Sequence, residues 1–510
     1  MPAAIDLPAS RRALVTVSVM MGSILQAIDN TIANVALPRI QGSVSASQDQ
    51  MAWVLTSYVV AAAIMTPLSG WLAGRLGRKR IFLFSIAGFT VASMLCGLSQ
   101  SLPELIIARL LQGACGASLV PMSQAVLLDI NPPENHSRAM SIWATGVTTG
   151  PIVGPALGGW LTDNYDWRWV FYINVPFGIL AFLGTLTFVP DSDTKRSPFD
   201  FFGFAMLSLA VGALQITLDR GELKDWFDST EILVEAAVAA AAFYLFVVHM
   251  LTTRKTRFLD PRLFKDTNFL TGCVSMFTIG LVVFATLALL PPLLQDLLNY
   301  PVVTAGLVTA PRGLGTFLAM FTAGRISKRV DVRWTITGGF VLTSFATWQM
   351  TRFNLQMDAA TIMWSGFFQG FGTGLVYVPL ATAAFATLST TLRNEGAALY
   401  SLSRNLGSSI GLSIVETLLT RNTQIAHETL AAHVTPFSPL IRVPGPGMAA
   451  GHGLSALNAE VTRQATMIAY DDDFKLMMWL TVASIPLALL LRKGAARGAD
   501  AAEAQAAALE

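Results

Sequence analysis

Residues Ala13–Pro38 read ALVTVSVMMGSILQAIDNTIANVALP, an oily run broken near its middle by Asp29. About twenty apolar residues cross a bilayer, so a helix over 13–37 carries the Asp29 carboxylate inside the hydrocarbon layer. A charge there costs roughly 2.5–3.5 kcal/mol on insertion scales and faces a bundle interior or a water-filled cavity. Gln26, Asn30 and Asn34 recur at four-residue spacing beside it, which predicts one polar stripe down the helix. Such a stripe is either a seam gluing helices together or a titrating transport site. Neutral amides alone suffice for glue, so the acid favours the second reading.

The rest of the chain repeats the pattern. Of 510 residues 53% are hydrophobic and only 13% charged, and the mean hydropathy is +0.54. This composition excludes a string of soluble domains and indicates an all-α polytopic membrane protein. Apolar windows predict about fourteen spans. They fall at 13–37, 51–73, 81–99, 104–127, 139–161, 168–189, 201–218, 231–251, 269–292, 303–324, 334–351, 359–383, 397–419 and 474–492. With the N-terminus inside, cytoplasmic segments collect about 22 Lys and Arg against about nine outside, which predicts cytoplasmic N- and C-termini. Arg11 and Arg12 precede a span too long for a signal peptide. Cys96, Cys115 and Cys273 lie in apolar runs and read as packing residues. The net charge of +2 gives no case for nucleic acid.

The basic turns GRLGRK (Gly74–Lys79) and GRISKR (Gly324–Arg329) follow the second and tenth spans. If spans seven and eight are an insertion between two six-helix halves, these turns occupy the same place in each half, as parallel repeats do. The boundaries expected are therefore 1–196 for the first bundle, 197–265 for two inserted helices and a linker, and 266–510 for the second bundle. Within the last, 420–473 is a long outer loop with amphipathic ends and a PGPG knot at Pro444–Gly447.

Arg109 enters the fourth span about five residues deep, and Asp29 lies about eight residues from the outer end of its own, so both sit roughly 8–12 Å inside. A buried guanidinium needs a partner, and an acid at matched depth is the natural one; the alternative is snorkelling to the interface. Gly146, Gly150, Gly154 and Gly158 at four-residue spacing, with Pro151 and Pro155, predict a smooth face and a hinge or seal between halves. Ser401, Arg404, Asn405, Ser408, Ser409, Ser413 and Glu416 form a polar stripe, with Glu416 either a second proton carrier or a solvated end charge. Gln124, Arg312 and Tyr377 complete the expected cavity surface, and Met20, Met21, Met65, Phe277 and Phe284 are apolar pocket candidates. No GxxxxGK[ST] loop is present, so direct drive by ATP is not expected. The five histidines show no metal-ligand spacing, so neither metal nor cofactor is expected.

Taken together, these segments resemble the major facilitator superfamily, in particular its fourteen-span drug:proton antiporter branch. Asp29–Pro38 resembles the first-helix motif of that branch, Gly70–Lys79 the facilitator loop motif with Gly77 and Arg78, Arg109–Gly113 the proton-relay arginine motif, and Gly146–Gly159 the antiporter motif. DWRWVFYINVPFG (Asp166–Gly178) and LDRG…DWF (Leu218–Phe227) are similar to the EmrB-like subgroup. Gly74 stands where the loop motif usually has an aspartate. The resemblance implies a proton-driven, non-enzymatic exporter of hydrophobic or amphipathic drugs in the bacterial inner membrane. It also implies a periplasmic EmrA-like adaptor and an outer-membrane TolC-like channel. A dedicated exporter of one metabolite, such as a fatty acid or siderophore, is the alternative. A membrane enzyme or receptor would need clustered His or acidic residues at one face.

Overall fold

The computed structural model describes residues 8–491 except 45, 47, 133–134, 193, 195–197, 254–256, 327–329, 390–391 and 435–449. The side chains of Asn34, Pro38, Pro151 and Pro155 also lie outside the described residues, as do Arg254, Lys255, Lys328, Arg329 and Pro444–Gly447. The described chain is helical, and each sequence window finds its helix. The first half comprises α1 (Ala9–Val44), α2 (Gln48–Leu76), α3 (Arg78–Leu98), α4 (Leu102–Gly116), α5 (Leu119–Ile130), α6 (His136–Asn164), α7 (Trp169–Tyr172) and α8 (Asn174–Phe188). The pair α9 (Phe201–Arg220) and α10 (Thr230–Thr252) follows. The second half comprises α11 (Thr267–Pro292), α12 (Val302–Ile326), α13 (Val332–Met350), α14 (Ala359–Ala386), α15 (Arg393–Ala432) and α16 (Ala450–Leu490).

Two expected spans are broken helices. The fourth is α4 followed by α5, interrupted where Gly113 and Gly116 press on Tyr58 and Phe89; a Cβ on Gly116 would stand 3.0 Å from the Phe89 ring. The sixth is α7 followed by α8. Among the described residues nine helical stretches are long and apolar enough to cross a membrane by composition alone.

Packing divides the helices into two groups. α1 packs on α5, α6 and α8, while α3 and α2 pack on α4. In the other group α11 packs on α15, and α14 on both α12 and α13. The groups meet along two seams, α2 against α15 and α6 against α12. The inserted pair covers the first seam: Leu207 and Val211 of α9 and Phe246 of α10 share a buried cluster with Ala63 of α2 and Leu402 of α15. Asp200 ties together the end of the pair where α9 begins and α10 finishes, accepting from Gly203 N at 2.9 Å and Phe258 N at 3.1 Å, with His249 Nε2 3.0 Å from both carboxylate oxygens.

The expected 420–473 loop is largely helix. α15 runs 40 residues and α16 runs 41, each about 60 Å, twice the hydrocarbon thickness. The amphipathic ends read from the sequence are thus continuations of the membrane helices. They run beside each other beyond the expected span limits, with His427 Nε2 3.1 Å from Asn458 Oδ1.

Candidate functional site

Asp29 and Arg109 are both almost fully enclosed, at 0% and 1% exposure. Their depths, matched in the sequence, bring them into contact. Arg109 Nη1 donates to Asp29 Oδ2 at 2.7 Å, and the same nitrogen lies 2.7 Å from Gln112 Oε1. Arg109 Nε donates to the Val54 carbonyl of α2 at 3.2 Å. The guanidinium also lies 4.3 Å from the centre of the Tyr58 ring, a position that favours a cation. The other carboxylate oxygen, Asp29 Oδ1, accepts from Gln112 Nε2 at 2.8 Å and from Asn174 Nδ2 at 3.0 Å. Asn174 in turn donates to Ser93 Oγ at 2.9 Å, and Ser93 donates to the Phe171 carbonyl at 2.9 Å. Six helices, α1, α2, α3, α4, α7 and α8, therefore contribute to one closed network. Breaking a buried pair of this kind by removing one partner costs about 3–5 kcal/mol, because the survivor is left uncompensated.

Gln112 and Asn174 were not among the residues singled out from the sequence. Gln112 had a readable signal, since it lies three residues after Arg109 and so on the same helix face. Asn174 lies in a different helix, and nothing local points it at α1.

The remaining expected residues separate into groups. On α1 the stripe is split: Asp29 turns inward, Gln26 is half-buried, and Asn30 is exposed. Gln124 is buried on α5. In the second half, Arg404 Nη1 donates to the Tyr377 hydroxyl at 3.0 Å, and its Nε and Nη2 lie 3.4 Å from Asn405 Oδ1. Ser409 is half-buried on the same helix. Arg312 is buried and donates to the Val283 carbonyl at 3.0 Å. Close by, Gln369 Nε2 donates to Thr286 Oγ1 at 3.1 Å. GFFQG at 366–370 on α14 matches RLLQG at 109–113 on α4, so this is the second half's version of the same core, without its acid. Glu416 does not join the Asp29 cluster. It is exposed on α15, beside Asp219 and Glu222. Phe277 lines an apolar cavity of about 280 Å³ with Phe264, Phe269, Cys273, Leu399 and Ser403.

The glycine face of α6 does not seal the two halves. A Cβ at Gly146 would meet Met20, at Gly150 Ala27, at Gly154 Thr31 and at Gly158 Ile32, all on α1. The groove seats α1, the helix that carries Asp29, inside its own half. An ion cluster at the start of α3 and α15 also links the two halves. Gly77 takes φ 89°, a conformation open to glycine, and so begins α3 with Arg78 turned toward Asp129 of α5, with which it pairs. Arg393 Nη1, at the start of α15, lies 3.8 Å from the same carboxylate. Gly74 faces open space.

The profile of the Major Facilitator Superfamily matches residues 19–412. The chain belongs to the Major Facilitator Superfamily. It is 36% identical over 485 residues to "Multidrug export protein EmrB" of Escherichia coli (strain K12), covering 94% of each chain. It is also 36% identical over 490 residues to "Fatty acid resistance protein FarB" of Neisseria gonorrhoeae, covering 94% of this chain and 96% of that one. Among solved structures, the proton:xylose symporter XylE superposes with a TM-score of 0.62 at 13% identity, covering 95% of this chain and all of the other. The human organic anion transporter MFSD10 superposes with a TM-score of 0.60 at 14% identity, over 93% of this chain. At those identities the likeness concerns the fold alone. This facilitator chain is a multi-pass membrane protein.

Proposed function

We propose that this chain is a proton-coupled antiporter that exports hydrophobic and amphipathic drugs by alternating access between its two helical halves. The observation that carries this reading is the closed network around Asp29. The Asp29 carboxylate accepts from Arg109, Gln112 and Asn174. A proton arriving on it removes the charge that holds the guanidinium, and so couples protonation to the packing of α1, α2, α4 and α8. One proton crossing about 150 mV releases roughly 3.5 kcal/mol, enough for a roughly 300-fold gradient of a neutral drug. The 36% identity to a multidrug export protein supports the substrate class. In this reading the chain sits in a bacterial inner membrane with both termini cytoplasmic. The outer extensions of α15 and α16 then meet a periplasmic adaptor that leads to an outer-membrane channel.

The test is efflux of ethidium from energised inverted vesicles, comparing the parent with Asp29→Asn. Loss of pH-gradient-driven efflux in the variant is expected, and unchanged coupled efflux would remove the role given to Asp29. The likeness to a fatty acid resistance protein favours one alternative, a dedicated exporter of a fatty acid. A panel of dyes, antibiotics and long-chain fatty acids in a pump-deleted host separates the two.

A further inference from the structure

Asp29 has a donor for each oxygen; a second buried carboxylate, in the other half, has none. Asp473 lies on α16 with 0% exposure, and neither of its side-chain oxygens has a hydrogen-bond partner. Counted from the helix ends that the charge bias puts in the cytoplasm, Asp29 lies about 20 residues from Ala9 and Asp473 about 17 from Leu490, roughly 30 and 26 Å. Asp473 therefore stands in the outer half of its span.

Its surroundings are apolar. Phe474 and Met477 of α16 belong to one buried cluster with Phe353 and with Leu293, Leu294 and Leu297 of the turn that ends α11. The Phe353 and Phe474 rings lie 5.7 Å apart. That turn, Leu293–Leu297, is a wide π-type turn directly after Pro291 and Pro292. The titratable groups that share this region are Tyr470, Asp471 and Asp472 on the same helix, Asp471 with one buried oxygen that also has no partner, and Asp296 on the turn. All of them are acidic or neutral. The nearby cations are committed elsewhere: Lys475 to Asp472 at 2.7 Å, Arg463 to the Leu297 carbonyl at 3.3 Å and to Glu460 at 3.4 Å, and Arg352 over the Trp348 ring at 4.0 Å. From α15, His427 faces Asn458.

We propose that Asp473 is a second proton-binding site, loaded from the outer side, whose proton keeps the outer turn of α11 seated on α16. A carboxylate enclosed among apolar groups with no donor is compatible with that packing only as the neutral acid. Loss of the proton places an unpaired charge beside Asp472, and the structure answers by letting water in. The part that can yield is the π turn, which hinges on two consecutive prolines that withhold backbone donors. The chemistry is a bare proton transfer: hydronium from the outer water protonates one Asp473 oxygen and leaves water, and the reverse step returns it. A role for this proton in export rests on the proton-coupled reading above.

The experiment uses the full-length protein in proteoliposomes, with the proton itself as the probe. Infrared difference spectra between acid and alkaline buffer report buried carboxylic acids by their carbonyl band. Deuterium exchange of the 293–300 segment reports the turn. The parent is expected to lose a buried-acid band and to exchange faster on alkalinisation. Asp473→Asn, neutral at every pH, is expected to lack that band and to keep the turn protected, whereas Asp473→Glu retains a shifted band. A band that persists in Asp473→Asn, or a turn whose exchange responds to pH identically in parent and variant, overturns the proposal. Absence of pH-gradient-driven efflux in the parent would instead sink the proton-coupled reading and leave the spectral result standing.

Discussion

The Asp129 carboxylate of the first half stands 3.8 Å from the Arg393 guanidinium of the second, while also pairing with Arg78 of its own half. One acid thus offsets two cations where α5 meets α15. Removing it takes the shared carboxylate away from both Arg78 and Arg393. Partly exposed pairs are worth about 0.2–1 kcal/mol each. Asp129→Asn is therefore expected to raise the population in which α5 and α15 separate at this end by roughly fivefold, for about 1 kcal/mol. Spin-label distances between α5 and α15 check this; an unchanged distribution would show that the cluster does not latch the halves.

For the buried pair, the expectation concerns stability as well as transport. Arg109→Gln leaves the Asp29 carboxylate enclosed without its cation, and a loss of about 3–5 kcal/mol is expected. Adding Asp29→Asn to that variant removes the orphaned charge and should recover a large part of the loss. Denaturation in detergent measures both. A double variant as unstable as the single one would mean that the guanidinium acts by packing alone.

Gly150, in the α1–α6 seam, and Gly74, on α2 outside it, are expected to behave oppositely. A Cβ at Gly150 would fall 2.7 Å from the Ala27 Cβ and 2.9 Å from its backbone carbon, and backbone cannot step aside as a side-chain tip can. Gly150→Ala should cost about 1–3 kcal/mol. At Gly74 nothing lies within 4 Å, so Gly74→Asp, which installs the acid usual in the loop motif, should fold normally. Thermal melts of the two variants side by side decide the matter.

A pH-dependent expectation comes from Glu395 in the first turn of α15. Burial raises its carboxyl above the usual 4.5, although Asp260 N donates to it at 3.2 Å. The folded state thus binds this proton more tightly than the unfolded chain does. Its stabilising share is present at acid pH and is lost as pH rises through the raised value. Glu395→Gln keeps an acceptor for Asp260 N without the charge. Its melting temperature should fall less than the parent's between acid and neutral pH, and parallel curves would contradict this.

The outer helical pair gives a test of the proposed adaptor. Removing residues 425–458 takes away the outer parts of α15 and α16 without touching Asp29 or Arg109. Ethidium efflux from inverted vesicles should survive, while drug resistance of whole cells should fall to that of a pump-deleted strain. Full resistance with the shortened helices would dispose of this surface as a docking site.

Much of this molecule could be read from its residues in order. Hydrophobic length sets the number of spans because a bilayer has one thickness, and depth along two spans matched Asp29 to Arg109 because rise per residue is fixed. The facilitator fold followed from those spans together with the motifs. Partners across space were another matter. That Gln112 and Asn174 complete the carboxylate's shell, that the α6 glycines seat α1 and not the opposite half, and that α15 and α16 run on past the expected spans were settled only by packing. Period and hydropathy give the face of each helix and its depth, but the rotation of one helix against another is decided by which side chains interlock. The same limit hid Asp473, which reads in sequence as part of an acidic loop end and is enclosed by the packing of α16 in the second half.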